Sequence, residues 1–314
     1  MNNRFRGERL KNARLLRGLT LTELAGKTDI SKQSLSQYEN GSIPDIQRVM
    51  AIARALDFPA EYFLQEDKCK TITEVTYFRS LTSATRMSRK AHSLKLECVA
   101  KVFQILEQYV EFPILNLPKV EFVGNDNEFD DVAQEAMQEE IESIALVMRE
   151  HWGLGLLPIS NLQLTLEENG IVVTGFDIVD KKIDAFSQRT LIDGGDVFFI
   201  AVVQGEKPKG RIFFDMAHEL GHILLHPWSE SLDLISKEDF KSRENQANRF
   251  ASAFLLPKES FLREIQAYPT DLNYYLHLKK RWHCSMQAMI YRAHQLNAIT
   301  DNQYQYMMRQ VSKK

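Results

Sequence analysis

Two histidines four residues apart, with a glutamate directly after the first, stand at His218-Glu219-Leu220-Gly221-His222. On a helix, positions i and i+4 share a face, so both imidazoles can meet one zinc ion. Glu219 then lies beside the open coordination position, where it can take a proton from a water whose pKa the metal has lowered. The chemistry indicated is metal-assisted hydrolysis. The surrounding residues Phe213, Phe214, Met216, Ala217, Ile223, Leu224 and Leu225 predict a largely apolar, buried helix. Two imidazoles and a carboxylate in such a helix cost free energy unless a partner satisfies them, and a metal is the natural partner.

A catalytic zinc site needs a third protein ligand and an open position. Downstream, His226, Glu230, Glu238, Asp239 and Glu244 carry suitable atoms. His226 lies about 12 Å along the helix axis from His218, too far to join a tetrahedral site. It precedes Pro227 and reads as a cap or as support for a ligand. Glu244 opens a helix predicted over 242–256, and a second helix packed on the first can deliver a carboxylate from there. His283 and Cys284 are adjacent but lack a partner at metal-ligand spacing.

A second motif lies near the N-terminus. Thr20 predicts an N-cap for a helix over 21–27, with Glu23 as the capping-box partner. Ser31 predicts the cap of another helix over 32–39, which stops at Asn40-Gly41. Leu24, Ala25, Ile30, Leu35 and Tyr38 fall where two such helices meet. That leaves Lys32, Gln33, Ser34, Ser36 and Gln37 pointing outward. This is the pattern of a helix-turn-helix, whose second helix enters the major groove. Gln can make two hydrogen bonds to adenine, and Lys can reach guanine or phosphate. The first 65 residues hold ten Lys and Arg against seven Asp and Glu, a local excess of positive charge. Arg4, Arg6, Arg9, Lys11, Arg14 and Arg17 form a basic tract expected to line the DNA backbone.

The segment resembles the XRE-type repressor family over residues 6–64, on Leu24-Ala25, Ser31 to Gly41, and Ile52 to Leu56. That resemblance implies that Lys32, Gln33 and Gln37 face bases. The later motif resembles the ImmA/IrrE family of metallopeptidases. The residues that carry it are Arg211 to His226, and Glu244 with Ala247-Asn248 and Phe250-Ala251 before Leu255-Leu256-Pro257. It extends loosely from about Glu139 to Ala298, taking in Asp184 to Ser187 and Ser285 to Arg292. The resemblance implies a gluzincin-like zinc site with His218, His222 and Glu244 as ligands and Glu219 as catalyst. Many relatives carry a second Glu just before the alanine; here Gln246 stands there, which favours Glu244.

These elements set the organisation. The expected fold class is α+β: an all-helical helix-turn-helix domain at 1–65, a linker with a long helix at 66–120, and a mixed zincin-like metallopeptidase domain at 121–314 with a helical C-terminal part. Strands are predicted at 71–78, 162–166, 171–173 and 197–203. The long helix over 83–110 places Met87, Ala91, Leu94, Cys98, Val102, Ile105 and Tyr109 on one stripe, which fits packing on its own domain or a dimer-forming face. Residues 121–147 hold nine carboxylates and no Lys or Arg, which reads as a solvated helix face.

At 314 residues, 44% apolar and 26% charged, the chain is of ordinary globular composition, and its net charge of −3 excludes a general polycation. Three scattered cysteines argue against a disulfide framework and fit a reducing cytosol. No apolar run reaches membrane-spanning length, and the first residues lack a signal-peptide core. The expectation is therefore a cytoplasmic transcriptional regulator that binds a double-stranded DNA operator as a homodimer and holds zinc. As an endopeptidase it would cleave a regulatory protein, or itself, in a stress or mobile-element response. Two alternatives stand beside it: a non-catalytic repressor using the second domain as a sensor, and an antitoxin-like partner protein.

Overall fold

The computed structural model describes residues 4–67, 69, 71–78, 85–124, 131–177, 184–204, 208–228 and 235–312. The chain divides into two compact units. The first comprises Met1–Thr73, Ser80–Glu111 and Thr190–Gly195; the second comprises Glu74–Arg79, Phe112–Arg189 and Asp196–Lys314.

The first unit is helical around the N-terminal motif. Helices α1 (Gly7–Leu16), α2 (Leu21–Thr28), α3 (Lys32–Glu39) and α4 (Ile46–Leu56) enclose a core of Leu10, Leu24, Leu35, Ile52, Leu56 and Phe63. Thr20 and Glu23 form the reciprocal capping box, and Ser31 and Asp45 cap α3 and α4 through Ser34 N and Arg48 N. Each side-chain oxygen answers an N–H that the first helical turn leaves unpaired. At Gly7 an added Cβ would lie 2.2 Å from the Tyr38 carbonyl oxygen, so the start of α1 reaches the end of α3 only without a side chain.

The strand β1 (Thr71–Phe78) precedes α5 (Arg86–Leu106), and α5 packs on α1. The predicted stripe of α5 is only partly the one buried. Ala91 and Leu94 are inside, together with Leu96, Ala100 and Phe103, whereas Val102 and Ile105 are exposed, as is Tyr109 just beyond the helix. Residues 96, 100 and 103 form a second stripe at the same helical spacing, which periodicity alone does not separate from the first.

The second unit is mixed. Its elements are α6 (Asp131–His151), α7 (Leu162–Glu168), β2 (Ile171–Asp177), β3 (Ala185–Ile192), β4 (Gly195–Gln204), α8 (Lys209–Leu225), α9 (Lys237–Leu255), α10 (Lys258–Ile265), α11 (Leu272–Trp282), α12 (Met286–Gln295) and α13 (Asp301–Ser312), with the end of β3 and the first residue of β4 grouped in the first unit. The sheet order is β1-β3-β4-β2, with β2 parallel to β4. Asp193 and Gly194 join β3 to β4 with φ of 48° and 88°, the positive pair that a type I′ hairpin turn requires.

Residues 162–166, predicted as a strand, are helical. Leu162, Leu164 and Leu166 alternate with polar residues as a strand would, but Asn161 accepts a hydrogen bond from Leu164 N and starts a helix. Leu162 and Leu166 are then buried at i and i+4, and Leu164 faces outward. Helix α9 also begins earlier than predicted. Ser236 caps it through Asp239 N, and Glu238 and Asp239 sit in its first turn, where carboxylates suit the helix dipole. Two buried arginines fasten the framework. Arg149 donates to the carbonyls of Gly155, Leu157 and Phe254, and Arg292 to the carbonyl of Leu256 and to Glu142.

Candidate metal centre and helix-turn-helix

Helix α8 is apolar from Met216 to Leu225 apart from its three chemical side chains, and His218, Glu219 and His222 are all fully buried. Gly221 lets α9 come close. An added Cβ there would stand 3.1 Å from the Ala247 Cα, 3.1 Å from the Phe250 ring and 3.2 Å from the Ala247 carbonyl oxygen. That approach brings Glu244, from the third turn of α9, to the histidines. Glu244 Oε1 lies 3.1 Å from His222 Nε2, and Oε2 lies 3.5 Å from His218 Nε2. One ligand atom from each of His218, His222 and Glu244 lies within 4.8 Å of the others. The three side chains form a cluster able to hold a metal ion.

The surrounding hydrogen bonds decide which atoms carry protons. Gln246 Oε1 accepts from His226 Nε2, 2.9 Å away. Burial holds His226 well below the usual imidazole pKa, so its ring is neutral and Nδ1 carries a lone pair. His222 Nδ1 must then donate to His226 Nδ1 at 2.9 Å. His218 Nδ1 donates to Asn248 Oδ1 at 3.0 Å. Both histidines of the cluster turn Nε2 inward, the two atoms 3.0 Å apart, and as neutral rings each presents a lone pair there. Glu244 Oε1 is buried without a hydrogen-bond partner. Two lone pairs and a carboxylate converging in a buried space repel unless a cation lies between them, so the donor set fits a divalent metal.

Glu219 is held from the sheet: Ser187 Oγ, on β3, donates to its Oε2 at 2.6 Å. Tyr77, on β1, stacks on His222 with ring centroids 4.9 Å apart and planes 22° apart. Its hydroxyl donates to the Pro227 carbonyl at 2.7 Å and accepts from Arg243 at 3.0 Å. No short motif marks Tyr77; Ser187 falls in the 184–187 segment of the family resemblance, but its distance in sequence from the histidines hides its hydrogen bond to Glu219. Asn248 and Gln246 were visible as residues of the α9 pattern, but their work as histidine partners was not.

The other sequence candidates separate cleanly. His226 ends α8 and supports His222, as its spacing predicts. Glu238 and Asp239 are exposed at the start of α9, and Glu230 falls outside the described residues. His283, with φ of 51°, ends α11 against Phe213, and Cys284 is buried with its thiol pKa pushed up to about 12.

On α3, Lys32, Gln33 and Gln37 are exposed, with Ser34 and Ser36 half-buried beside them. The Ser34 hydroxyl is shared with the cap, 2.9 Å from Ser31 Oγ. The basic tract of α1 needs correction. Arg14 is buried and pairs with Glu39 at 2.6 and 2.9 Å, Arg9 donates to the Tyr62 carbonyl, Arg17 donates to the Leu56 and Asp57 carbonyls, and Arg6 pairs with Glu66. These guanidiniums close the helical unit on itself, which leaves Arg4 and Lys11 as the free cations of the tract among the described residues.

A helix-turn-helix family model matches residues 10–63, and a model described as the IrrE N-terminal-like domain matches residues 166–294. The chain is a fusion of a helix-turn-helix domain of XRE-like type with an IrrE/ImmA-like domain. The whole His218, His222 and Glu244 cluster falls inside the IrrE/ImmA-like match, and α2 and α3 fall inside the helix-turn-helix match. Among solved structures, a Mycobacterium tuberculosis transcriptional regulator is 21% identical over 49% of this chain and 46% of that one, with a TM-score of 0.35. No curated protein matches the chain. Among the described residues, no helix is long and apolar enough to cross a membrane.

Proposed function

We propose that this protein is a DNA-binding transcriptional regulator whose IrrE/ImmA-like domain is a zinc-dependent endopeptidase. Its substrate is a regulatory protein or its own chain between residues 66 and 120. The observation that carries the reading is the convergence of two histidine lone pairs and the Glu244 carboxylate beside the buried carboxylate of Glu219.

His218, His222 and Glu244 would hold the metal, and Asn248 and His226 fix the faces that the two imidazoles turn toward it. Zinc, when bound there, supplies Lewis acidity and makes water nucleophilic near neutral pH. Glu219 takes a proton from the attacking water and passes it to the leaving amine. Ser187 keeps that carboxylate in position by donating to Oε2. On the other unit, Lys32, Gln33, Ser34, Ser36 and Gln37 are the proposed contacts to an operator, read by a homodimer in paired half-sites.

Glu219→Gln tests the reading. Loss of a general base costs about a hundredfold to ten-thousandfold in rate. The variant is expected to lose cleavage and regulation in cells while keeping its metal and its DNA affinity. Unchanged regulation by Glu219→Gln would remove the peptidase and leave the metal site as a sensor.

A further inference from the structure

A second site lies within the IrrE/ImmA-like unit. A cavity of about 600 Å³ opens among α6, α9, α12 and α13. That volume suits a small molecule. Its polar wall is mostly amide and phenol, including Gln134, Gln287, Gln295, Tyr291 and Tyr304. Among the described residues, Arg249 is the one lining residue that carries a charge.

The charges around Arg249 do not balance. Glu142 gives both its oxygens to the fully buried Arg292, with Nη2 to Oε2 at 2.8 Å. Arg249 reaches the same carboxylate only at 3.9 Å, and its Nε is buried without a hydrogen-bond partner. Two guanidiniums therefore share one carboxylate, and one positive charge is left over at the cavity wall. Burial lowers the pKa of Arg249; Glu142 opposes that shift and Arg292 adds to it. A partly desolvated cation with unused donors is costly, and an anion in the cavity relieves the cost. The planar guanidinium fork matches the oxygens of a carboxylate or a phosphate.

We propose that this cavity binds a small anion bearing a carboxylate or phosphate group, held by Arg249 and oriented by the surrounding amides. The site stands independently of the peptidase reading. Asn248 and Gln246 also line the cavity while fixing His218 and His226, so an occupant would touch the residues that orient the metal ligands.

The test titrates the full chain with benzoate and with inorganic phosphate at constant ionic strength, followed by calorimetry and melting temperature. At least one anion is expected to bind saturably and raise the melting temperature. Binding by benzoate alone assigns a carboxylate, and binding by phosphate alone assigns a phosphate. Arg249→Met is expected to weaken that binding about tenfold or more, because a charge-assisted hydrogen bond is lost. Arg249→Lys keeps the charge but not the fork, and is expected to bind several-fold more weakly than the wild type. If Arg249→Met does not fold, the lysine variant alone decides. The proposal fails if neither anion saturates, or if a folded Arg249 variant binds as tightly as the wild type.

Discussion

Asn248 shows how much a single amide controls. Its Oδ1 fixes the His218 proton on Nδ1 and so turns the Nε2 lone pair toward Glu244. Substituting a group that orients a metal ligand typically costs about tenfold to a hundredfold in metal affinity. Asn248→Ala is therefore expected to weaken zinc binding by about that factor with the helical content retained, measured by competition with a chromogenic chelator. Affinity equal to the wild type would show that the imidazole holds its orientation without the amide. The histidines and Glu219 could be read in the sequence because their spacing encodes a shared helical face. Tyr77 could not, since it reaches the site from a strand and nothing local marks it, and Ser187, though inside the 184–187 segment, gave no sign of its bond to Glu219. The arginines of α1 misled for a related reason: charge is visible in sequence, but the pairing of Arg14 with Glu39 is a tertiary fact.

At the scale of elements, the site depends on the distance between α8 and α9. Gly221→Ala would gain about 1 kcal/mol of helix propensity. Against this, its Cβ meets backbone atoms of Ala247 at 3.1 and 3.2 Å, which cannot swing aside as a side-chain tip could. Overpacking of this kind costs about 1–3 kcal/mol. A net loss of stability is expected, with weaker metal binding as α9 and Glu244 move outward. Thermal melts of the metal-free and zinc-loaded variant check this, and an unchanged melting temperature in both states would mean that the helices separate at no cost. Most helices were readable from their caps and periodicity, as with Thr20 and Ser31. Helix α7 was not, because leucines at 162, 164 and 166 satisfy a strand period and only the Asn161 cap distinguishes the helix. The two stripes of α5 pose the same difficulty: both have helical spacing, and packing on α1 chooses between them.

For the whole molecule, the proposed function places a reading surface and a hydrolytic site in one chain. The two can be tested separately. Gln37→Ala is expected to weaken operator binding by about 1–3 kcal/mol, the worth of a bidentate base contact, with little change on random-sequence DNA. Equal losses on both would place Gln37 against the backbone instead. The fusion of two modules was legible early, since each carries a compact motif. The extent of the first unit was less so, because α5 and the 190–195 segment join it from later in the chain.

The central claim is that His218, His222 and Glu244 hold one metal ion. The direct measurement is the zinc content of the full chain, purified without chelators, beside His222→Ala and Glu244→Ala. The account expects about one zinc per chain in the wild type and its loss in both variants. A wild-type chain that takes up no zinc even when zinc is supplied, or variants that retain it in full, would contradict the account.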